Sequence, residues 1–258
     1  MPNSLYIGAA GMVAQQLSID TIANNIANIN TPGYKKARVS FRDVYYGGLE
    51  RAGLSPQSDV QAYAGMGTVA IPLGKAFDQG QLKKTDASSD LAISGDGFVE
   101  VVLPDGSSGY VRSPVLQANR DGMLATSDGY VLHQQIAVPS EASALQIDAT
   151  GRVSASLAGE STATELGQIE LVRFINPSGL TPLGENLYGA SDKAGDPLRG
   201  KPGDEGFGTL LQGYSEGSNV QLNDEMINMT ITQHIFNLCA KVFQAGDDME
   251  STVNSLFR

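Results

Sequence analysis

Residues 3–30 repeat apolar side chains at alternating four- and three-residue steps. Leu5, Ala9, Met12, Gln16, Ile19, Ala23 and Ile26 form a heptad-like seam. Ile7, Val13, Leu17, Ile22 and Ile29 lie off it, and Asp20 is the only charged residue of the segment. The pattern predicts one broadly apolar helix, capped by Asn3 or Ser4 and roughly 40 Å long. Pro32 disfavours helical geometry at Thr31, and Gly33 permits a positive φ, so the helix is expected to stop there. Lys35, Lys36 and Arg38 follow, where a helix C-terminus favours cations.

The other end of the chain repeats the theme. After EGSNV (216–220) and a candidate cap at Asn223, a seam runs through Met226, Met229, Gln233, Phe236, Ala240 and Phe243. Beside it runs a second stripe of Ile227, Ile231, Ile235, Leu238, Val242, Ala245 and Met249. Two adjoining stripes make a helix apolar over most of its circumference, which one partner helix cannot cover.

Between the helices the period changes to two. DLAISGDGFVEVVLPDGSSGYVR (90–112) reads as strand, glycine turn, strand, Pro-Asp-Gly turn, strand. Further strands are predicted at 115–118, 123–126, 129–133, 145–149, 152–157, 167–174 and 186–189. Short strands at this spacing predict an all-β middle domain of barrel or sandwich type. Residues 36–75 read as a linker with an extended arm, and 190–208 as an irregular exposed loop. The fold class is therefore α+β. The predicted boundaries are an N-terminal helix at 1–35, the arm at 36–75, a β-rich domain at 76–210 and a C-terminal helix at 211–258.

Charge narrows the range of functions. The 258 residues hold 17 Lys and Arg against 28 Asp and Glu, a net charge of -11, which argues against a nucleic-acid partner. Residues 1–40 sum to +2 and 211–258 to -4, so the acidity is concentrated in the middle. The single cysteine, Cys239, cannot form an intramolecular disulfide and reads as a small buried hydrophobe. MPNSLYIGAAGM has neither a basic start nor a long apolar run, so no cleaved secretory signal is expected. No apolar run reaches the ~18 residues needed to span a membrane.

Chemistry is sparse. His133 and His234 have no nearby ligand partner in sequence, and no metal or cofactor site is expected. GDPLRGKP (195–202) imitates a phosphate-binding loop, but Pro202 replaces the metal-reaching hydroxyl and no helix follows. SGDGF (94–98) lacks the ligand ladder of a calcium loop and reads as a hairpin turn. No nucleophile elbow appears, and the chain is not expected to be an enzyme. Asn24 and Asn28, four apart, share a helix face. They either fray the helix before its stop or hydrogen-bond across a helix interface and fix its register. The near absence of charge favours the second reading.

SLYIGAAGMVAQQLSIDTIANNIANINTPGYKK, with Ala10-Gly11, Gln15-Gln16, IANNIAN and NTPGYK, resembles the N-terminal signature of the flagellar rod and hook protein family. DLAISGDGF (90–98), RFINPSGLTPLGENLY (173–188) and GTLLQGYSEGSNVQ (208–221) resemble later blocks of that family, in the same order. Length and the stretch from Arg42 to Thr85 are most similar to its distal-rod members. TQHIFNLCAKVF (232–243) departs from the pattern: His234, Phe236, Asn237 and Cys239 stand where relatives usually carry Arg, Tyr, Glu and Asn.

The resemblance implies a structural subunit of the distal rod, with the end helices forming a coiled-coil core and polymerising into a torque-bearing helical tube. The implied partners are further copies of the chain, other rod subunits, the hook, the surrounding rings and the flagellar export apparatus. The implied location is the periplasmic basal body, reached without a cleaved leader. The expected subunit interface comprises the N-terminal seam with Asn24 and Asn28, and on the C-terminal helix Met226, Ile227, Met229, Ile231, Gln233, Ile235, Phe236, Leu238, Val242 and Phe243. The alternatives are a proximal rod or hook subunit of the same family, or a β-domain enzyme or ligand-binding protein with coiled-coil trimerisation arms.

Overall fold

The computed structural model describes residues 3–45, 65–139, 142–157 and 164–256. The chain begins with α1 (Asn3–Ala27), followed by β1 (Ala37–Tyr45), β2 (Gly65–Lys75), β3 (Leu82–Lys84), β4 (Leu91–Ser94), β5 (Phe98–Val102) and β6 (Ser108–Val111). Next come β7 (Leu116–Ala118), β8 (Leu124–Thr126), β9 (Val131–Leu132), β10 (Ala142–Ile147), β11 (Arg152–Leu157), β12 (Thr164–Gln168) and β13 (Leu171–Arg173). After a 3₁₀ turn at Pro177–Gly179 follow β14 (Thr181–Gly184), β15 (Leu187–Gly189), β16 (Leu198–Gly200), β17 (Thr209–Gln212), β18 (Tyr214–Glu216) and α2 (Leu222–Leu256). The described residues fall into two units, one within 1–27, 37–73 and 221–258, the other within 28–36 and 74–220. Residues 46–64, just under half of the expected arm, lie outside the described residues.

The first unit holds α1, α2 and the two-stranded ribbon of β1 and β2. α1 ends three residues short of the 3–30 span predicted for it. The Thr31 amide donates to the Asn28 carbonyl and the Thr31 hydroxyl to the Asn28 side chain, replacing the helical ladder with a turn. α2 starts at Leu222, because residues 209–216 pair as strands β17 and β18.

The second unit is built on antiparallel sheets. The largest has nine strands, in the order β14-β15-β6-β5-β9-β8-β7, with β13 beside β5 and β16 beside β13. Among the described residues this path does not close on itself, so the barrel expectation gives way to an open sheet with smaller sheets around it. β10, β11 and β12 form a separate three-stranded sheet. Period two explains the cores. On β5, Val99 enters a cluster of Leu91, Ile93, Leu124, Leu132, Ile169 and Leu171. Its neighbour Phe98, on the opposite face, joins Tyr110, Phe174 and Tyr188. The aromatic side packs edge to face, with Tyr110 and Phe174 centroids 4.8 Å apart and Phe77 and Tyr188 5.0 Å apart. Residues 190–208, predicted to be an exposed loop, contain β16 and the fully buried Ala194.

SGDGF is not a hairpin. β4 pairs with β17 while β5 pairs with β6, β9 and β13, so the turn is a corner between sheets. Gly95 and Gly97 carry positive φ, and their carbonyls accept hydrogen bonds from the Arg112 guanidinium. The same guanidinium donates from Nε to Glu216 Oε2 at 2.6 Å. Glu216 is wholly buried, and its other oxygen accepts from Lys35 Nζ at 2.8 Å and the Gly80 amide at 2.7 Å. Lys35 also donates to the Asp78 carbonyl at 2.7 Å. Burial pulls the Lys35 ammonium below its ordinary pKa, opposed by Glu216. Lys35 therefore serves a buried ion cluster rather than a helix end, since α1 stops eight residues earlier. Next to it, the Lys36 amide donates to the Asn219 side chain at 2.7 Å, and that side chain donates to the Ala76 carbonyl at 2.8 Å.

A second buried carboxylate sits on β5. Arg199 grips Glu100 through Nε at 2.8 Å and Nη2 at 2.9 Å, and the Ser108 hydroxyl donates to it at 2.8 Å. His133 Nδ1 lies 3.8 Å away. Burial alone would raise the Glu100 pKa, but the Arg199 fork and the Ser108 hydroxyl outweigh it and hold the group below its ordinary value.

Glu216→Gln leaves two buried cations without their anion, so the β-rich unit is expected to lose about 3–5 kcal/mol of stability, read as a fall in urea midpoint. Glu100 predicts an acid limb. Its folded pKa is depressed, so its contribution is complete above the ordinary value of 4.5 and is lost as pH falls below that toward the lowered folded value. Thermal melts from neutral pH down to about 3 are expected to show this limb, flattened in Arg199→Met.

Candidate functional site

α1 and α2 pack along a seam that is glycine-lined at Gly8 and Gly11 and polar at Asn25 and Glu225. On α1 the buried positions are Gly8, Gly11, Ala14, Ile22 and Asn25. On α2 Glu225, Thr232 and Gly246 are buried, with the half-buried Cys239 completing a strict seven-residue step. At Gly8 the helices touch backbone to backbone: a Cβ there would stand 3.2 Å from the Cys239 carbonyl oxygen and 3.3 Å from the Phe243 nitrogen. A Cβ at Gly11 would stand 2.8 Å from Cys239 Sγ. Thr232 meets the seam without an unpaired hydroxyl, because its Oγ1 donates to the Asn228 carbonyl of its own helix at 2.7 Å.

One end of the seam is polar. The Asn25 side chain accepts from the Ala37 amide at 2.9 Å and donates to the Ala37 carbonyl at 3.0 Å, imitating a strand partner at the start of β1. Its Nδ2 also lies 3.2 Å from Glu225 Oε2 on α2. The glycine contact on the ribbon side is equally close: a Cβ at Gly67 on β2 would meet the Ala10 Cβ at 3.3 Å.

The candidate interface residues surround this seam. On α1, Leu5, Ala9, Met12, Ile19, Ile26 and Asn28 are half-buried, while Gln16, Ala23 and Asn24 are exposed. On α2, Met229 and Phe236 are half-buried, and Met226, Ile227, Ile231, Gln233, Ile235, Leu238, Val242 and Phe243 are exposed. Ile231 keeps 52% of its surface in solvent and Leu238 60%, in a helix with Met249, Val253 and Leu256 also open. Asn25, the buried asparagine, was missed because it stands off the apolar seam. Its signal was the doubled asparagine itself, since only one member of an adjacent pair can face a partner.

The exposed face of α2 forms a shallow groove lined by His234, Asn237, Leu238, Ala240, Lys241 and Gln244. Among the described residues no group of three or more His, Cys, Asp or Glu side chains comes together as a metal site, and no helix is long and apolar enough to cross a membrane.

End helices paired through small residues, joined by a β-rich middle, fit the class of flagellar rod and hook subunits. Three family models match the chain: flagella basal body rod protein at residues 5–35, the D1 domain of flagellar hook protein FlgE/F/G at 92–155, and the C-terminal region of flagellar basal body rod FlgEFG protein at 211–256. A flagellar basal-body rod protein FlgG of Buchnera aphidicola is 38% identical over 257 residues, covering 98% of this chain and 99% of its own. That of Borreliella burgdorferi is 38% identical over 264 residues and covers both chains completely, and that of Caulobacter vibrioides is 36% identical over 258 residues, covering 98% of each. The chain belongs to the FlgG family of flagellar basal-body rod proteins. Its function is that of a structural subunit of the distal rod.

The backbone contact at Gly8 makes a direct prediction. Gly8→Leu is expected to force the helices apart and cost about 1–3 kcal/mol, read as earlier loss of the helical circular-dichroism signal on heating. Val13→Leu, at a position 72% exposed, is expected to stay within about 0.5 kcal/mol of the parent.

Proposed function

We propose that the chain polymerises through the outward faces of α1 and α2 into a helical tube that carries torque along the rod. The carrying observation is the exposure of Ile227, Ile231, Ile235, Leu238 and Val242 on a helix whose fully buried positions, among the described residues, are Glu225, Thr232 and Gly246. Covering such faces with further copies stabilises by roughly 25 cal/mol per Å² of apolar area. Copies joined head to tail without closing extend as a filament rather than a ring. In this reading the paired helices are the coiled-coil core of the tube, and Met12, Ile19, Asn24, Asn28 and Met226 meet neighbouring copies. The segment 36–75, with its ribbon of β1 and β2, is the arm that reaches adjacent subunits. Other rod subunits and the hook adjoin the two ends of the polymer, the basal-body rings surround it, and the flagellar export apparatus delivers the chain to the periplasm.

Sedimentation and electron microscopy over a concentration series test the reading. The purified chain is expected to form filaments whose length grows with concentration, whereas a closed oligomer would keep a fixed mass. Ile235→Asp is expected to leave the β-rich unit folded and to raise the concentration needed for filaments at least about tenfold, equivalent to about 1.4 kcal/mol per subunit. Filaments at the parent concentration in that variant would remove the support of the exposed stripe.

A further inference from the structure

Lys75, the last residue of β2, places its ammonium in a cavity of about 190 Å³ walled by Tyr34, Leu187 and Tyr188. The Nζ stands 3.9 Å above the centre of the Tyr34 ring. Among the described residues no carboxylate lies within ion-pair distance of it. Glu185 lines the same cavity, but its Oε2 accepts the Tyr130 hydroxyl at 2.9 Å.

The far wall of the cavity is held in place. β14 and β15 are joined through Gly184, Glu185 and Asn186, with φ of 104°, 49° and 58°. Left-handed backbone at Glu185 costs about 1 kcal/mol or more and persists only where the surroundings enforce it. Asn186 Nδ2 supplies part of that enforcement by donating to the Pro32 carbonyl at 3.0 Å. The result is a fixed pocket lined by Tyr34, Leu187, Tyr188, two asparagines, the hydrogen-bonded Glu185 and one cation.

We infer that this cavity receives an aspartate or glutamate side chain from a second copy of the chain, pairing with Lys75 across the subunit interface. The inference rests on the polymer reading above. A half-buried ammonium without a counter-ion is unfavourable, and a cation–π contact with one tyrosine offsets that only in part. Burial lowers the Lys75 pKa with no neighbouring carboxylate to restore it. Much of its hydration is therefore already lost before a partner arrives, so an incoming carboxylate meets a cation that gains more from pairing than a fully solvated lysine would. The occupant must be anionic, and this chain offers 28 acidic residues against 17 basic ones. The Tyr34, Leu187 and Tyr188 side of the cavity suits the methylene stem of a side chain better than a free hydrated anion.

The test is zero-length carbodiimide cross-linking of filaments grown from equal parts of light and ¹⁵N-labelled chain. The expected product is a mixed-isotope peptide joining Lys75 to an Asp or Glu, present in filaments and absent from monomer. Lys75→Met is expected to stay folded and to need at least about a tenfold higher concentration to polymerise. A charge exchange, Lys75→Glu with the identified carboxylate changed to Lys, is expected to restore assembly. Filaments in which Lys75 links only within its own chain, or a Lys75→Met chain that polymerises at the parent concentration, would overturn the inference and leave the polymer reading standing. No filaments at any concentration would overturn both.

Discussion

The contact at Gly8, where the backbones of α1 and α2 meet with no side chain between them, fixes the rotation of both helices. With Gly8 and Gly11 held against Cys239, side chains such as Ile231, Ile235 and Leu238 are left exposed, while Ile22 is buried. A seam of this kind buries little apolar area, so it specifies the pairing more than it stabilises it. The Asn25–Glu225 contact acts the same way at the other end, as a polar register mark. The stability that the seam forgoes is left available on the outer faces, where it is realised only when another surface covers them.

The β-rich unit solves a different problem: keeping both of its chain ends in one place. Residues 33–36 enter it and 214–219 leave it, 181 residues apart at Lys35 and Glu216. A hydrophobic contact at that point could slide. A carboxylate shared by Lys35, Arg112 and the Gly80 amide has one geometry, and removing it strands two buried cations. Asn219 adds a second stitch, bonded to Lys36 just before β1 and Ala76 just after β2. For a subunit that carries load, a joint of defined geometry is worth its desolvation cost. The Thr-Pro-Gly-Tyr-Lys turn and the Ser-Glu-Gly-Ser-Asn turn are thus two halves of one device.

Period and turn chemistry exposed the elements but not their partners. Both helices and the strands near 91–94, 98–102, 108–111, 116–118 and 124–126 follow from apolar spacing and glycine turns. The face of each helix did not, because a helix apolar on most sides gives no unique seam. The side that wins at Gly8 and Gly11 is chosen by backbone approach, which a hydropathy pattern does not register. Lys35 looked like a helix-end cation because its partner lies 181 residues away. β16 was missed because Leu198-Arg199-Gly200 is too short to show a period, and it exists through pairing with β13. The Gly95-Asp96-Gly97 turn was recognised, but whether it closes a hairpin or turns a corner is decided by β17 and β6, both distant in sequence.

Where the chain puts its charge completes the picture. The net charge is -11, yet residues 1–40 sum to +2 and α1 carries a single charge at Asp20. α2 keeps Asp224 and Glu225 in its first turn, where the helix dipole favours anions, and Asp247, Asp248 and Glu250 around the exposed Met249. Between Met226 and Phe243 the only formal charge is Lys241. The Met226–Phe243 stretch of the exposed apolar surface is therefore nearly free of charge, while its continuation through Met249, Val253 and Leu256 lies among acids. Copies can approach along that stretch without burying an ion, and repulsion between acidic regions elsewhere is screened over about 8–10 Å at physiological salt. In the polymer proposed above, acidity keeps single copies apart at a distance, and the weakly charged stretch lets them close once they meet. That division of labour depends on sequence placement, and a single acidic residue inserted into the stripe is enough to break it.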